Sequence, residues 1–169
     1  MPVTGNKANP RVWLASMSDG ALISLRGALD AEMRKRRLAI SVGDVGERLT
    51  IEHFKSTSGL PNLQPAPTGT KNVDALSRNG DRYSIKTICN AKKTGTIYPD
   101  PLNPDKQLFE YLLVVRLSEI WRLQTIHQLT WQAFLEVRSW DKRMSAWYVA
   151  ISRRALAAAS VIYNAREIK

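Results

Sequence analysis

An acid, a hydroxyl and a lysine lie at spacings that allow a β-hairpin to bring them together. The segments NVDALS and DRYSIKT flank an Asn-Gly dipeptide, a pattern typical of a hairpin. A two-residue turn would separate Asp74 from Lys86, whereas a three-residue loop with Gly80 in the left-handed position would place Asp74 opposite Ser84. Period-two patterning favours the three-residue loop, because a one-residue slip would turn charge into the core. This face then carries either a reactive group or a solvated ion pair worth about 0.2–1 kcal/mol.

The same register assigns the remaining hairpin residues to two faces. The polar face also includes Asn72, Leu76 and Arg82. The opposite face is apolar and suits a core; it consists of Val73, Ala75, Tyr83 and Ile85.

A second acid, Glu47, lies on a predicted helix from Val45 to Phe54, for which Asp44 is the expected cap. Glu47 shares a helix face with Ile51 and Phe54, at spacings of four and seven. A carboxylate on an apolar stripe needs a partner, a metal ion or a cleft. The alternative is an acid near the helix N-terminus that the helix dipole favours.

This combination resembles the PD-(D/E)XK nuclease superfamily. The resemblance is carried by a helix with a glutamate (GDVGERLTIEHF), a strand with an aspartate (NVDAL) and a following strand that ends in SIKT. It implies a restriction-endonuclease-like fold of mixed α/β or α+β class, in which a central mixed sheet is flanked by helices. The matching region spans roughly 43–123, where the apolar FEYLLVVRL resembles the next core strand.

The resemblance also implies roles for individual residues. Asp74 would be a metal-binding acid, and Lys86 would position or polarise the attacking water. Glu47 would be the helix acid of many members and a second metal ligand. The implied activity is hydrolysis of DNA phosphodiester bonds with Mg²⁺, for which Mn²⁺ is a possible substitute.

Ser84 departs from the family pattern, which has Asp or Glu at this position, although some members carry a neutral residue. A hydroxyl binds a divalent cation only weakly, whereas Mg²⁺ prefers carboxylates. Either Glu47 and Asp74 hold the ion while Ser84 supports them, or the site has lost efficient catalysis. The second case predicts a catalytically weak or silent nucleic-acid-binding subunit on the same fold.

Composition favours a globular protein with an anionic partner. The 169 residues include 25 Lys plus Arg and 15 Asp plus Glu, a net charge of +10, while 44% are hydrophobic. These values exclude a disordered chain, and the single cysteine excludes a disulfide framework or a four-cysteine zinc site. The positive charge favours binding to nucleic acid. No apolar run suits a membrane span and no secretory signal is evident, so a cytoplasmic protein is expected.

Basic clusters provide candidate phosphate contacts, although each could equally be a solvated surface. The candidates are Arg34, Lys35, Arg36, Arg37, Lys92 and Lys93. Double-stranded DNA is the expected partner, and cutting both strands with one site per chain suggests a homodimer. A third hypothesis is a basic α+β interaction protein whose hairpin charges only solvate a surface.

Local patterns predict one domain at 18–169 that follows a mobile polar leader at 1–17. Besides the elements above, helices are expected at 21–38, with Ser18 or Asp19 as the cap, and at 130–137. A final helix is expected after Ser152, with Leu156, Ala159 and Tyr163 on one face. Strands are expected at 109–117, 119–123 and 146–151. Loops are predicted at 56–70 and 90–106.

Overall fold

A computed structural model describes residues 10–38 and 41–165 of the chain. The chain divides into two compact units, residues 1–40 and residues 41–169. Within the described ranges, no helix has the length and apolar character needed to cross a membrane.

The first unit contains two helices, α1 (Pro10–Ala15) and α2 (Asp19–Lys35). Helix α1 falls within the predicted leader, and residues 1–9 of that leader lie outside the described residues. Helix α2 confirms the predicted helix, and the Ser18 hydroxyl caps it by accepting a hydrogen bond from the Ala21 N–H (3.3 Å).

The second unit combines a six-stranded mixed sheet with flanking helices, so the coarse α+β class is confirmed. Its elements are α3 (Val42–Ser56), β1 (Leu63–Pro65), β2 (Ala75–Ser77), β3 (Arg82–Cys89), β4 (Tyr111–Leu117), β5 (Leu123–Thr130), α4 (Trp131–Val137), β6 (Arg138–Asp141), β7 (Ala146–Val149), α5 (Arg153–Ala157) and β8 (Ser160–Asn164). The strand order is β1-β2-β3-β4-β5-β8, and β3 and β4 are its parallel pair. Strands β6 and β7 form a separate hairpin.

Strand β4 has the central position that its apolar sequence predicts, because each of its faces packs into a different core. Leu113 and Val115 join the cluster beneath α3, which includes Phe54. Leu112 and Val114 join the opposite cluster, formed with α4, α5 and the β6–β7 hairpin. All four of these β4 side chains are at most 5% exposed, as expected for a strand covered on both sides.

The hairpin formed by β2 and β3 has the register of a three-residue loop. Ala75 pairs with Tyr83, and Leu76 pairs with Arg82. Gly80 has a φ of +89°, the left-handed conformation that this loop requires. The predicted apolar face is buried, with Val73, Ala75, Tyr83 and Ile85 between 0% and 6% exposed.

Two predictions near the chain's C-terminal part are wrong. Residues 119–122 form a turn in which Trp121 has a positive φ of 57°, and the neighbouring strand β5 begins only at Leu123. The predicted final helix stops at Ala157, and Tyr163 lies in strand β8, where it pairs with Ile126 of β5. The β-branched residues of β8 pair with β5 at the edge of the sheet. This pairing is more favourable than the helix that the apolar spacing predicts.

Smaller corrections concern helix α3 and two short strands. The N-cap of α3 is Ser41, whereas Asp44 is the third helical residue of a capping box in which each side chain accepts from the other's backbone N–H (3.0 and 3.3 Å). Strand β1 lies inside the predicted loop 56–70, and β6 was not predicted. Both are short, so their sequences carry little periodic signal.

Helix α3 lies unusually close to β3 at Gly46. A Cβ atom built on Gly46 would lie 2.0 Å from Oγ1 and 2.7 Å from Cβ of Thr87. Gly46 is therefore required by contact with the sheet, and it places the next residue, Glu47, beside the hairpin.

We expect Gly46→Ala to destabilise the protein by about 1–3 kcal/mol, because the added methyl group would push α3 off the sheet. Gly43→Ala is the matched control, since the nearest atom to its Cβ, Ser41 Oγ, would be 3.6 Å away. That control is expected to be neutral or stabilising, because alanine favours a helix. Urea unfolding midpoints measure both effects, and equal midpoints for the two variants would contradict this role of Gly46.

Candidate active site

Asp74 is held at the start of the hairpin by several hydrogen bonds. It directly precedes β2, and its backbone N–H donates to the Tyr83 carbonyl oxygen (2.8 Å). Its side-chain Oδ2 accepts a hydrogen bond of 2.6 Å from the backbone N–H of Ile85. The carboxylate thus satisfies a buried strand N–H, which fixes its orientation.

The predicted trio meets at this carboxylate. The Ser84 hydroxyl donates to Asp74 Oδ2 over 3.3 Å, and Lys86 Nζ lies 3.6 Å from the same oxygen. The side chains of Asp74 and Lys86 are 21% and 20% exposed, so this pair is reachable from solvent. Ser84 is fully buried, so it does not belong to a solvated surface, which was one of the two alternatives for this face.

Glu47 joins the trio through electrostatics. Burial raises the pKa of Glu47, and the negative charge of Asp74 raises it further, while Lys86 lowers it. Asp44, one helical turn earlier, also raises the pKa of Glu47. Within the described ranges, no group donates a hydrogen bond to the Glu47 carboxylate. The structure therefore places a carboxylate without a direct partner near a second carboxylate and an ammonium group.

Asp74 and Glu47 are the two described residues of the site that could hold a magnesium ion. Mg²⁺ is usually bound by one or two carboxylates and keeps several waters, so it does not need a complete protein cage. Repulsion between the Glu47 and Asp74 carboxylates helps to raise the pKa of Glu47. A bound cation would relieve this repulsion. In the described parts of the chain, no three or more His, Cys, Asp or Glu side chains are grouped to hold a metal ion.

Sequence analysis missed an ion pair that fixes the beginning of β3. Arg82 donates from Nε and Nη2 to the two carboxylate oxygens of Glu110 (3.0 and 2.7 Å), and its backbone N–H also donates to Glu110 (2.6 Å). The hydrogen bond from Arg82 lowers the pKa of Glu110. The two residues are 28 positions apart, so only the parallel pairing of β3 with β4 reveals the contact.

The predicted phosphate-binding residues lie in two segments of the chain. Arg34, Lys35, Arg36 and Arg37 lie at the C-terminal end of α2, where Arg36 pairs with Glu32 (2.6 Å). Lys93 forms an ion pair with Asp141 (3.2 Å) and covers the ring of Tyr148, so it is less available for phosphate. Lys92 is exposed after β3.

A cleft of about 1010 Å³ opens beside the hairpin. Asn72, Val73 and Arg82 line it on the hairpin side, and Val73 directly precedes Asp74. Tyr98 and Trp140 line it from loop 90–106 and from β6. No sequence motif marks these aromatic residues, because three separate segments form the cleft.

No protein-family model matches the chain, and a search of curated proteins found no matching relative.

We expect Asp74→Ala to lower the free energy of unfolding by about 1–3 kcal/mol, because the buried N–H of Ile85 loses its acceptor. Asp74→Asn retains a side-chain oxygen and should cost less. Urea unfolding of the two variants measures the difference. Equal losses would instead attribute the effect to the missing charge beside Lys86.

Glu47→Gln should stabilise the protein at neutral pH. Because the pKa of Glu47 is raised above its ordinary 4.5, the folded state binds this proton more tightly than the unfolded state does. The stability that this group contributes is therefore lost as pH rises above about 4.5. The melting temperature of the variant, relative to wild type, should be higher at pH 7 than at pH 4. Glu52→Gln, which changes an exposed acid on the same helix, is the matched control.

Proposed function

We propose that this chain is a Mg²⁺-dependent DNA endonuclease with a restriction-endonuclease-like fold. The observation that carries the proposal is the convergence of Glu47 from helix α3, Asp74 from the residue before β2 and Lys86 from β3. The mixed sheet flanked by helices is compatible with that fold. The net charge of +10 supports a polyanionic substrate.

In this proposal Asp74 and Glu47 hold the cation. When bound, Mg²⁺ supplies Lewis-acid polarisation of the phosphoryl oxygen and lowers the pKa of a water. The Asp74 side chain is oriented in advance by the N–H of Ile85, so little rearrangement is needed. Glu47 has no competing hydrogen-bond donor among the described residues and is available as a ligand.

Lys86 acts as the positive charge of the site. Its ammonium group lies 3.6 Å from Asp74 Oδ2 and is partly shielded from solvent, which strengthens its field. There it can stabilise the negative charge that develops on a phosphate during attack. Cleavage of both strands of a duplex would require two such sites, which favours a homodimer.

A silent DNA-binding subunit is the second candidate, and the environment of Ser84 favours it. Ser84 is fully buried and donates to Asp74, so it offers the cation no negative charge. In addition, three donors already surround one Asp74 oxygen: the Ile85 N–H, the Ser84 hydroxyl and the Lys86 ammonium group. These contacts compete with a metal ion for that oxygen.

Incubation with supercoiled plasmid and phage DNA in Mg²⁺, Mn²⁺ or EDTA tests the proposal. We expect metal-dependent cutting, reduced about 10²- to 10³-fold in Lys86→Met because an electrostatic stabiliser is lost. Asp74→Asn and Glu47→Gln should also lose activity. Glu52→Gln should cut like wild type, because that acid is on the outside of α3.

Thermal unfolding with and without Mg²⁺ separates the two candidates. A metal that binds only the folded state raises the melting temperature of wild type but not of Asp74→Asn or Glu47→Gln. A folded wild type that binds DNA, does not cut it and shows no Mg²⁺ effect would support the silent subunit and refute the nuclease.

A further inference from the structure

The cleft beside the hairpin has the dimensions and position of a substrate site. Its volume of about 1010 Å³ is at the upper end of the range of small-molecule pockets, so it has room for more than one nucleotide. Val73 lines the cleft and directly precedes Asp74 in the chain. The Asn72 side chain donates to the Tyr98 carbonyl oxygen (3.0 Å), which ties the Tyr98 segment to the start of the hairpin.

The cleft offers one positive charge, that of Lys71, to a phosphate group. Lys71, Arg82 and Lys106 line it, together with a single acid, Asp100. Asp100 is paired with Lys106 (3.0 Å), and Arg82 is paired with Glu110. Lys71 forms no ion pair with a described carboxylate, so its charge is available to a ligand.

Two half-exposed aromatic rings distinguish this cleft from a general phosphate-binding surface. Tyr98 is 47% exposed and Trp140 is 48% exposed. Trp140 is supported by an edge contact with the mostly buried Trp147 (ring centroids 6.1 Å apart). Ile97, next to Tyr98, exchanges backbone hydrogen bonds of 2.8 and 2.9 Å with Trp147. Both residues are thus held on one framework, and about half of the surface of each remains exposed.

Aromatic faces of this kind bind unpaired bases, which expose their own flat surfaces. In a base-paired duplex those surfaces are stacked internally, so a duplex cannot use the rings without opening. From this geometry we infer that the cleft binds unpaired nucleotides of a DNA strand, with bases stacked on Tyr98 and Trp140 and the backbone near Lys71. This inference rests on the proposed nuclease function. Together with that function, it means that the substrate is DNA with a single-stranded segment next to the cleavage site.

Fluorescence anisotropy in EDTA, where no cutting occurs, tests this inference on the full chain. The probes are a 12-nucleotide single strand, a blunt duplex and a duplex with a five-nucleotide overhang. Wild type should bind the single strand and the overhang more tightly than the blunt duplex. Tyr98→Ala and Trp140→Ala should each weaken that binding about 5- to 150-fold, with little effect on the blunt duplex.

Conservative variants separate stacking from folding. Tyr98→Phe and Trp140→Phe retain an aromatic face and should bind nearly like wild type. Trp13→Ala removes another half-exposed ring, from α1, and should have no effect. Circular dichroism of each variant checks that it folds. Lys71→Ala should reduce the salt dependence of single-strand binding, because one phosphate contact is lost.

The outcomes for the cleft and for the nuclease are independent. Loss of overhang binding in the alanine variants supports the inference even if wild type cuts nothing. Overhang binding that is unchanged in Tyr98→Ala and Trp140→Ala overturns it, even if Mg²⁺-dependent cutting is observed. Equal affinity of wild type for blunt and overhang duplexes also overturns it.

Discussion

The close approach of α3 to β3 is the constraint on which the candidate site depends. Gly46 has no side chain to separate the helix from Thr87 below it. The approach leaves the Thr87 hydroxyl buried and without a hydrogen-bond partner in the described structure, at a cost of about 1–3 kcal/mol. Burial of Phe54 against Tyr83 offsets that cost. One residue after Gly46, the same approach brings the Glu47 carboxylate into the electrostatic field of the hairpin.

The two acids of the candidate site, Asp74 and Glu47, have different environments. Asp74 is constrained by the N–H of Ile85 and by the nearby Lys86, so its position is set by the hairpin itself. Glu47 is partly buried, lacks a direct partner among the described residues and has a raised pKa. A fixed carboxylate beside an under-compensated one is an arrangement that attracts a cation.

Sequence reasoning succeeded where short-range patterns decide the structure and failed where a sheet edge decides it. The hairpin loop, the buried strand β4 and the capped helix α2 all follow from local periodicity and turn chemistry. Strand β8 does not, because its residues have the spacing of a helix and become a strand only through pairing with β5. The turn at 119–122 was missed for a different reason. Trp121 has a positive φ there, a conformation that is unusual for a non-glycine residue and that its sequence does not indicate.

For the site, the sequence by itself determined that Asp74, Ser84 and Lys86 share one side of a hairpin. Side chains alternate along a strand, and a three-residue loop needs the left-handed conformation that Gly80 adopts. With the apolar face buried, these two conditions leave only the register in which Ala75 pairs with Tyr83. Only the tertiary structure decided that Glu47 joins them, that Ser84 is buried and that an aromatic cleft opens nearby. These features depend on how distant segments pack, and packing distance is set by side-chain volume across an interface, which no local pattern encodes.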